Sequence, residues 1–314
     1  MAQKTIFTIG LDLPTDNFEY KNFDSNTSLL DADIILFEPK LVYQTDYLNG
    51  GMYQGKSNLS SESSVECLES INHWKDELKI AYDNGKTIFI FLTAYEEVYY
   101  KTGQQDFSGT GRNQKTTNYV SLLDSYSMLP FKFVNKKIVH GKNIKFTKDG
   151  NILKNYWNVV KDISSYELYF ETEKFKPLIQ TKSADKTVGA VLQGKNGGNI
   201  ILVPPLTLPD NFIKVGDDGK QHFWTEEAIK FSKQLLGQIV AIDKTLKLSK
   251  EHTPPPEWVS EEKFNLDVES KYLNEITKLE EQINKIQDRI DNKKEILKKS
   301  KIPKRLLYEN GKSD

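Results

Sequence analysis

The sequence predicts an α/β fold, and three observations carry that prediction. Two runs, Asp33–Phe37 (DIILF) and Thr87–Leu92 (TIFIFL), are apolar without alternation, as strands buried on both faces are. An amphipathic stretch with helical spacing lies between them, and that order is the order of parallel βαβ packing. The third observation is the stretch KTVGAVLQGKNGGNIILVPP at 186–205, which reads as two strands joined by a Gly-rich reversal. This hairpin is expected at the centre of a sheet that the rest of the chain covers.

In chain order, Thr5–Gly10 is the first strand candidate. Leu11–Asn26, with Pro14 and several Asp and Asn, is expected to be loop, and so is the Gly/Ser/Asn-rich stretch 44–61. A helix follows. Ser63 and Glu66 have capping-box spacing, and Val65, Leu68, Ile71, Trp74, Leu78 and Ala81 fall on one face. Asn84-Gly85 then supplies a C-terminal stop. Residues 94–118, with three glycines, read as a long polar loop carrying Arg112 and Lys115. The segment 119–165 is mixed, with a short helix near Leu153–Val160, and Tyr166–Glu171 alternates like a half-buried strand. Within the hairpin the strands are Thr187–Gln193 and Asn199–Val203, the turn is Gly194–Gly198, and Pro204-Pro205 stops the second strand. Thr225 caps a second long helix with the stripe Ala228, Phe231, Leu235, Ile239, Ile242 and Leu246. One α/β domain over 1–250 is the expectation.

The pattern changes after that. Residues 251–264 form a linker stiffened by His252–Pro256 (HTPPP). Over 265–300, Tyr272, Ile276, Leu279, Ile283, Ile286, Ile290 and Leu297 follow 3-4 spacing with polar residues between them, the seam of a coiled coil. A helix lying on the α/β domain is the alternative, but the narrow stripe favours a coiled coil. Residues 301–314 are expected to be a basic tail.

Composition excludes several function classes. Net charge is −1, so no global field recruits nucleic acid or a membrane surface. The single cysteine, Cys67, rules out an internal disulfide and a cysteine-based zinc site. The chain enters a strand-like run at once, with neither a leader pattern nor an 18-residue apolar span. A cytoplasmic protein without membrane association is therefore expected.

Gly50–Ser57 satisfies the phosphate-loop pattern G-x-x-x-x-G-K-[ST]. Its context does not fit, because no buried strand feeds it and no helix begins at Ser57. Tyr53, Gln54, Gly55, Lys56 and Ser57 remain a candidate recognition surface for an anion or a partner, or else an ordered surface loop. Ligands of open α/β sheets sit at the carboxyl ends of strands. Those ends carry Asp12, Glu38, Tyr95, Glu96 and Glu97, which suit a divalent metal or acid/base work, or simply solvate loop tips. Cys67 lies inside the first helix between two carboxylates that would raise its pKa, so an inert thiol is expected. The four histidines show no i, i+4 pair, and no cofactor is implied. His73 is a candidate ligand residue, or a helix residue hydrogen-bonded to a neighbouring loop.

These pieces resemble the class I glutamine amidotransferase-like, flavodoxin-like superfamily. The likeness is closest to its non-catalytic branch, the divergent domains of gliding-motility and intraflagellar-transport proteins. It is carried by DADIILFEP, by the helix before GKTIFIFL and by GGNIILVPP, over about residues 1–245. It implies a three-layer mixed sheet with helices on both faces. The cysteine elbow of the catalytic members is missing here, so no glutaminase activity is implied. A second likeness is to uncharacterised bacterial proteins that pair such a domain, with a YQGK…HW segment like Tyr53–Lys56 and His73-Trp74, with a coiled coil. There the coiled coil runs into a segment like Leu306–Lys312, often followed by a nuclease-like domain. That likeness implies the sensor and assembly half of such a system, with bacterial defence as an association only.

The first functional expectation is a non-enzymatic module that binds a ligand or protein partner and oligomerises through its coiled coil. Its site would use Tyr53–Ser57, Asp12, Glu38 and His73, and a small anionic ligand or a nucleic acid is the other candidate partner. The alternative is a metal-dependent hydrolase or nucleotide-processing enzyme using the strand-end carboxylates.

Overall fold

The computed structural model describes residues 4–14, 17–41, 51–215 and 222–251, together with scattered helical positions between 275 and 296. The chain divides into two units, Met1–Glu251 and His252–Asp314.

The first unit is α/β. Its strands begin with β1 (Ile6–Ile9), β2 (Glu19–Lys21) and β3 (Ile34–Phe37), then the short pair β4 (Met52–Tyr53) and β5 (Lys56–Ser57). Helix α1 (Ser61–Asp83) leads to β6 (Thr87–Phe91), β7 (Glu97–Ser108), β8 (Lys115–Asp124), β9 (Asn135–Gly141) and β10 (Ile144–Phe146). Helix α2 (Lys154–Val160) precedes β11 (Tyr166–Glu171), β12 (Lys176–Thr181), β13 (Thr187–Gln193) and β14 (Asn199–Val203). The pair β15 (Ile213–Val215) and β16 (His222–Trp224) and helix α3 (Glu226–Glu251) complete it.

Among the described residues, eight strands form the main sheet in the order β10-β12-β13-β14-β6-β3-β1-β2. From β2 to β14 every neighbouring pair is parallel, and from β14 to β10 every pair is antiparallel. The hairpin β13–β14 has the strand ends expected from the sequence, and β14 and β6 are the two central strands. All five residues of each central strand are buried, which is why neither run alternates in hydropathy.

The pleat sends alternate side chains to two apolar clusters. One cluster joins Ile35, Phe37, Ile88, Ile90, Ile200 and Leu202 to Ile71, Trp74 and Leu78 of α1. The other joins Ile34, Leu36, Phe89, Phe91, Ile201 and Val203 to residues of α2 and α3. The hairpin turn docks on the end of α1, where a Cβ on Gly198 would lie 1.9 Å from the Tyr82 carbonyl oxygen. Asn196 Nδ2 donates to the Asp83 carbonyl across the same junction at 3.3 Å.

Several expectations are corrected. Residues 94–118 are not loop but most of a long antiparallel ribbon, β7–β8, exposed along most of its length. Leu11–Asn26 contains the edge strand β2, and 44–61 contains the β4–β5 turn pair. α1 is capped by Ser60, whose Oγ accepts from Ser63 N at 3.0 Å, rather than by Ser63. Its buried face runs through Ser63, Ser64 and Cys67, leaving Val65 exposed. β11, by contrast, is the half-buried strand expected over Tyr166–Glu171, and it pairs with β9 outside the main sheet.

In the second unit the described positions from Glu275 to Ile296 are helical, and Leu279, Ile286, Ile290 and Ile296 are exposed. Tyr272, Ile276, Ile283 and Leu297 of the expected seam, the linker over 252–264 and the tail over 301–314 lie outside the described residues. Among the described residues, no helix is long and apolar enough to cross a membrane.

Candidate functional site

The parallel strands β1, β3 and β6 end at one rim, and the chemistry gathers there. β1 runs into Gly10, with φ +75°, where a Cβ would fall 2.5 Å from the Glu38 carbonyl oxygen and 2.7 Å from the Phe23 ring. Only glycine fits that backbone and that approach. β3 is followed at once by Glu38, which is buried. Lys40 Nζ pairs with Glu38 Oε1 at 2.8 Å and donates to the Gly10 carbonyl at 2.8 Å, so one side chain clips the two strand ends together. Burial pushes the Glu38 carboxyl above its ordinary value; Lys40 opposes that shift and the Glu167 carboxylate adds to it.

β6 leads through Thr93 and Ala94 toward the base of the ribbon. Glu167 of β11 accepts from Ala94 N at 2.6 Å. The Tyr126 hydroxyl donates to the Thr93 carbonyl. Burial raises the Tyr126 phenol, and Glu167 reinforces it, so this group stays a neutral donor across the working pH range. Asp124 then organises a cation. It accepts from Tyr126 N at 2.9 Å and from Lys136 Nζ at 2.5 Å. The same Nζ lies over the Tyr95 ring at 4.5 Å and the Tyr126 ring at 5.0 Å. Lys136 is thus held by one carboxylate and two aromatic faces.

A cleft of about 590 Å³ opens beside this cation, within the size range of small-molecule sites. Lys75 of α1, Lys132, Lys136, Asp124, Tyr126 and Phe133 are among its walls. Three lysines face one carboxylate, so the lining favours an anion.

The residues singled out from sequence are placed as follows. Tyr53 and Gln54 lie at the β4–β5 turn beside the ribbon. The Tyr53 ring meets Tyr99 edge-on at 4.8 Å, and Gln54 Oε1 accepts from the Tyr99 hydroxyl at 2.7 Å. Gln54 and Gly55 have φ of 48° and 77°, and Ser57 pairs with Met52. This is a β turn and not a phosphate cradle, since α1 begins only at Ser61. Lys56 Nζ is paired with Glu97 at 2.8 Å, which raises its pKa. Asp12 is exposed between buried Leu11 and Leu13. Lys56 and Glu38 therefore each have a partner of their own, Glu97 and Lys40. His73 is half-buried against Trp74, ring centroids 4.8 Å apart, and its Nε2 is buried without the expected hydrogen bond to a loop.

Cys67 is buried, and burial alone pushes its thiol up to about 11; the neighbouring carboxylates expected from sequence to do this do not enter. Among the described residues no group of three or more His, Cys, Asp or Glu side chains is placed to hold a metal ion. Compared with family models, curated proteins and solved structures, the chain matches none.

The reading from sequence did not reach Asp124, Tyr126, Lys132, Lys136 or Glu167. A signal was present in Phe131–Lys137 (FKFVNKK), where aromatic and basic residues interleave directly after Pro130.

Proposed function

We propose that this chain is a non-enzymatic binding module whose α/β unit takes a small anionic ligand at the rim of its sheet. The observation that carries this reading is the cleft of about 590 Å³ with Lys75, Lys132 and Lys136 against the single carboxylate of Asp124. Tyr95 connects the cleft to the turn at Tyr53–Ser57 along the chain: its ring carries Lys136, and two residues on, Glu97 holds Lys56. Glu38 follows β3 at the same rim and is felt by Tyr126 of the cleft, and Asp12 follows β1. A flavodoxin-like, amidotransferase-like ancestry is part of the proposal. It is supported by the parallel order β2-β1-β3-β6-β14, which is the 2-1-3-4-5 order of that fold counted over the parallel strands alone.

A thermal-shift series with inorganic phosphate, pyrophosphate and nucleoside phosphates tests the site. A ligand at about 100 times its Kd is expected to stabilise the protein by about 2.7 kcal/mol. The double variant Lys75→Glu, Lys132→Glu changes two exposed side chains and is expected to abolish that shift. An undiminished shift in the variant removes the cleft from consideration.

The second half of the proposal is assembly of copies through the C-terminal helix, in a sensor role of the kind associated with bacterial defence. Its support is the row of exposed apolar residues Leu279, Ile286 and Ile290 on a helix. Light scattering on the full chain is expected to show an oligomer, and Ile286→Glu with Ile290→Glu a monomer. A monomeric parent chain ends this part of the proposal.

One observation favours a second reading, an acid/base hydrolase. Glu38 is buried with a raised pKa and feels a second carboxylate, Glu167. Turnover of a phosphate or acyl ester that Glu38→Gln abolishes is the result that would establish it.

A further inference from the structure

We infer that the ligand is amphiphilic: an anionic head for the lysine cleft and an apolar tail for a second cleft that shares its wall. This inference rests on the anion-site reading above. The second cleft measures about 480 Å³, and Pro130, Phe131, Lys132 and Phe133 line both.

The two clefts differ in chemistry. The first presents Lys75, Lys132, Lys136 and Asp124. The second presents the side chains of Phe131, Phe133, Val134, Phe175, Leu192 and Ile200. Its charged groups, Lys79, Lys132 and Lys174 against Asp83 and Glu173, are more nearly balanced. Phe131 meets Phe175 at 4.6 Å and Phe133 at 5.4 Å, so the apolar wall is a packed aromatic set. Val134, in this wall, is 63% exposed, an apolar side chain that the fold does not itself cover.

Helix α1 fixes the order of the two clefts. Lys75 lines the first, while Lys79, Tyr82 and Asp83, one to two turns later, line the second. Seven residues of helix, from Lys75 to Tyr82, span about 10 Å. The occupant is therefore a molecule whose charged and apolar ends are about that far apart along the flank of α1. The volumes suit a free small molecule rather than the edge of a bilayer.

Titration calorimetry with inorganic phosphate, butyl phosphate and octyl phosphate, each below its aggregation limit, tests the inference. Affinity is expected to rise about fourfold per added methylene, following the free energy of burying one such group. Val134→Asn, a neutral polar change at an exposed position, and Leu192→Trp, which fills the cleft, are expected to remove the gain from chain length. Both are expected to leave inorganic phosphate binding as it was. Equal affinity for all three phosphates overturns the tail compartment while leaving the anion site standing. Binding of none of them overturns the anion site as well. Co-sedimentation with vesicles of anionic phospholipid, without binding of free octyl phosphate, overturns the inference in favour of a membrane surface.

Discussion

Trp74→Ala is expected to cost about 3–5 kcal/mol of folding stability, the range for deleting a large buried aromatic side chain. Trp74 is fully buried in α1. Its ring meets Phe23 at 5.8 Å and Phe37 at 6.0 Å, and its Nε1 donates to the Phe23 carbonyl at 3.1 Å. The truncation leaves a cavity and an unpaired carbonyl together. Typical domains have about 5–15 kcal/mol in total, so much of the margin goes. Trp74→Phe keeps most of the packing and loses the donor, and about 1–2 kcal/mol is expected for it. Urea denaturation monitored by far-ultraviolet circular dichroism gives both numbers. A loss below about 1 kcal/mol for the alanine variant contradicts the place given to Trp74 in this core. The consequence reaches the rim as well. The Phe23 ring packs where a Cβ on Gly10 would sit, so loosening Phe23 loosens the end of β1, which Lys40 clips to Glu38.

The elements legible in the sequence are those whose burial imposes a period. β3, β6 and β14 are buried along their whole length, and the uninterrupted apolar runs announce it. α3 buries Ala228, Leu235, Ile239, Ile242 and Leu246, all on the expected stripe, with Thr225 Oγ1 accepting from Ala228 N at 3.3 Å. From Ile71 through Trp74, Leu78 and Ala81 the buried face of α1 is the expected one, and it departs only in the first turns, where two serines and Cys67 are buried and Val65 is not. Ser64 Oγ donates to the Ser60 carbonyl at 2.6 Å and accepts from Lys101 N at 3.0 Å. A satisfied hydroxyl in a core leaves no trace in a hydropathy pattern.

The ribbon β7–β8 was illegible for the opposite reason. Most of its residues are exposed on both faces, so no alternation marks it, and its order comes from backbone pairing. The β-branched and aromatic residues of Lys115–Leu123 (KTTNYVSLL) were the available signal. The rim was half legible. A strand-end carboxylate at Glu38 follows from the general geometry of open sheets. The pairing of Lys136 with Asp124 between two tyrosine rings does not. It requires the ribbon to return to its base, where Asp124 lies opposite Glu97.

At the other end of the parallel strands a second polar cluster ties the fold together, and Asp243→Ala is expected to cost about 2–3 kcal/mol there. Asp243 is wholly buried on α3. It accepts from Thr87 Oγ1 at 2.7 Å and pairs with Lys4 and Lys247, each at 3.1 Å. Asn199 Nδ2 in turn donates to Thr87 Oγ1 at 3.3 Å, so α3, β6, β14 and the segment ahead of β1 share one network. The figure is below the range for a broken fully buried pair because Lys4 and Lys247 remain 28% and 31% exposed and keep access to water. Burial by itself pushes the Asp243 carboxyl up; the Thr87 hydroxyl and the two lysines outweigh it and hold the carboxyl below its ordinary value. The folded protein therefore binds this proton less readily than the unfolded chain. The stabilisation is complete above the unfolded value near 4 and is lost as pH falls through the lower folded value. Urea denaturation of the parent and Asp243→Ala at pH 7 and at pH 2 separates charge from packing. The difference between them is expected to shrink at the lower pH, and a difference that stays the same assigns the whole loss to the missing atoms.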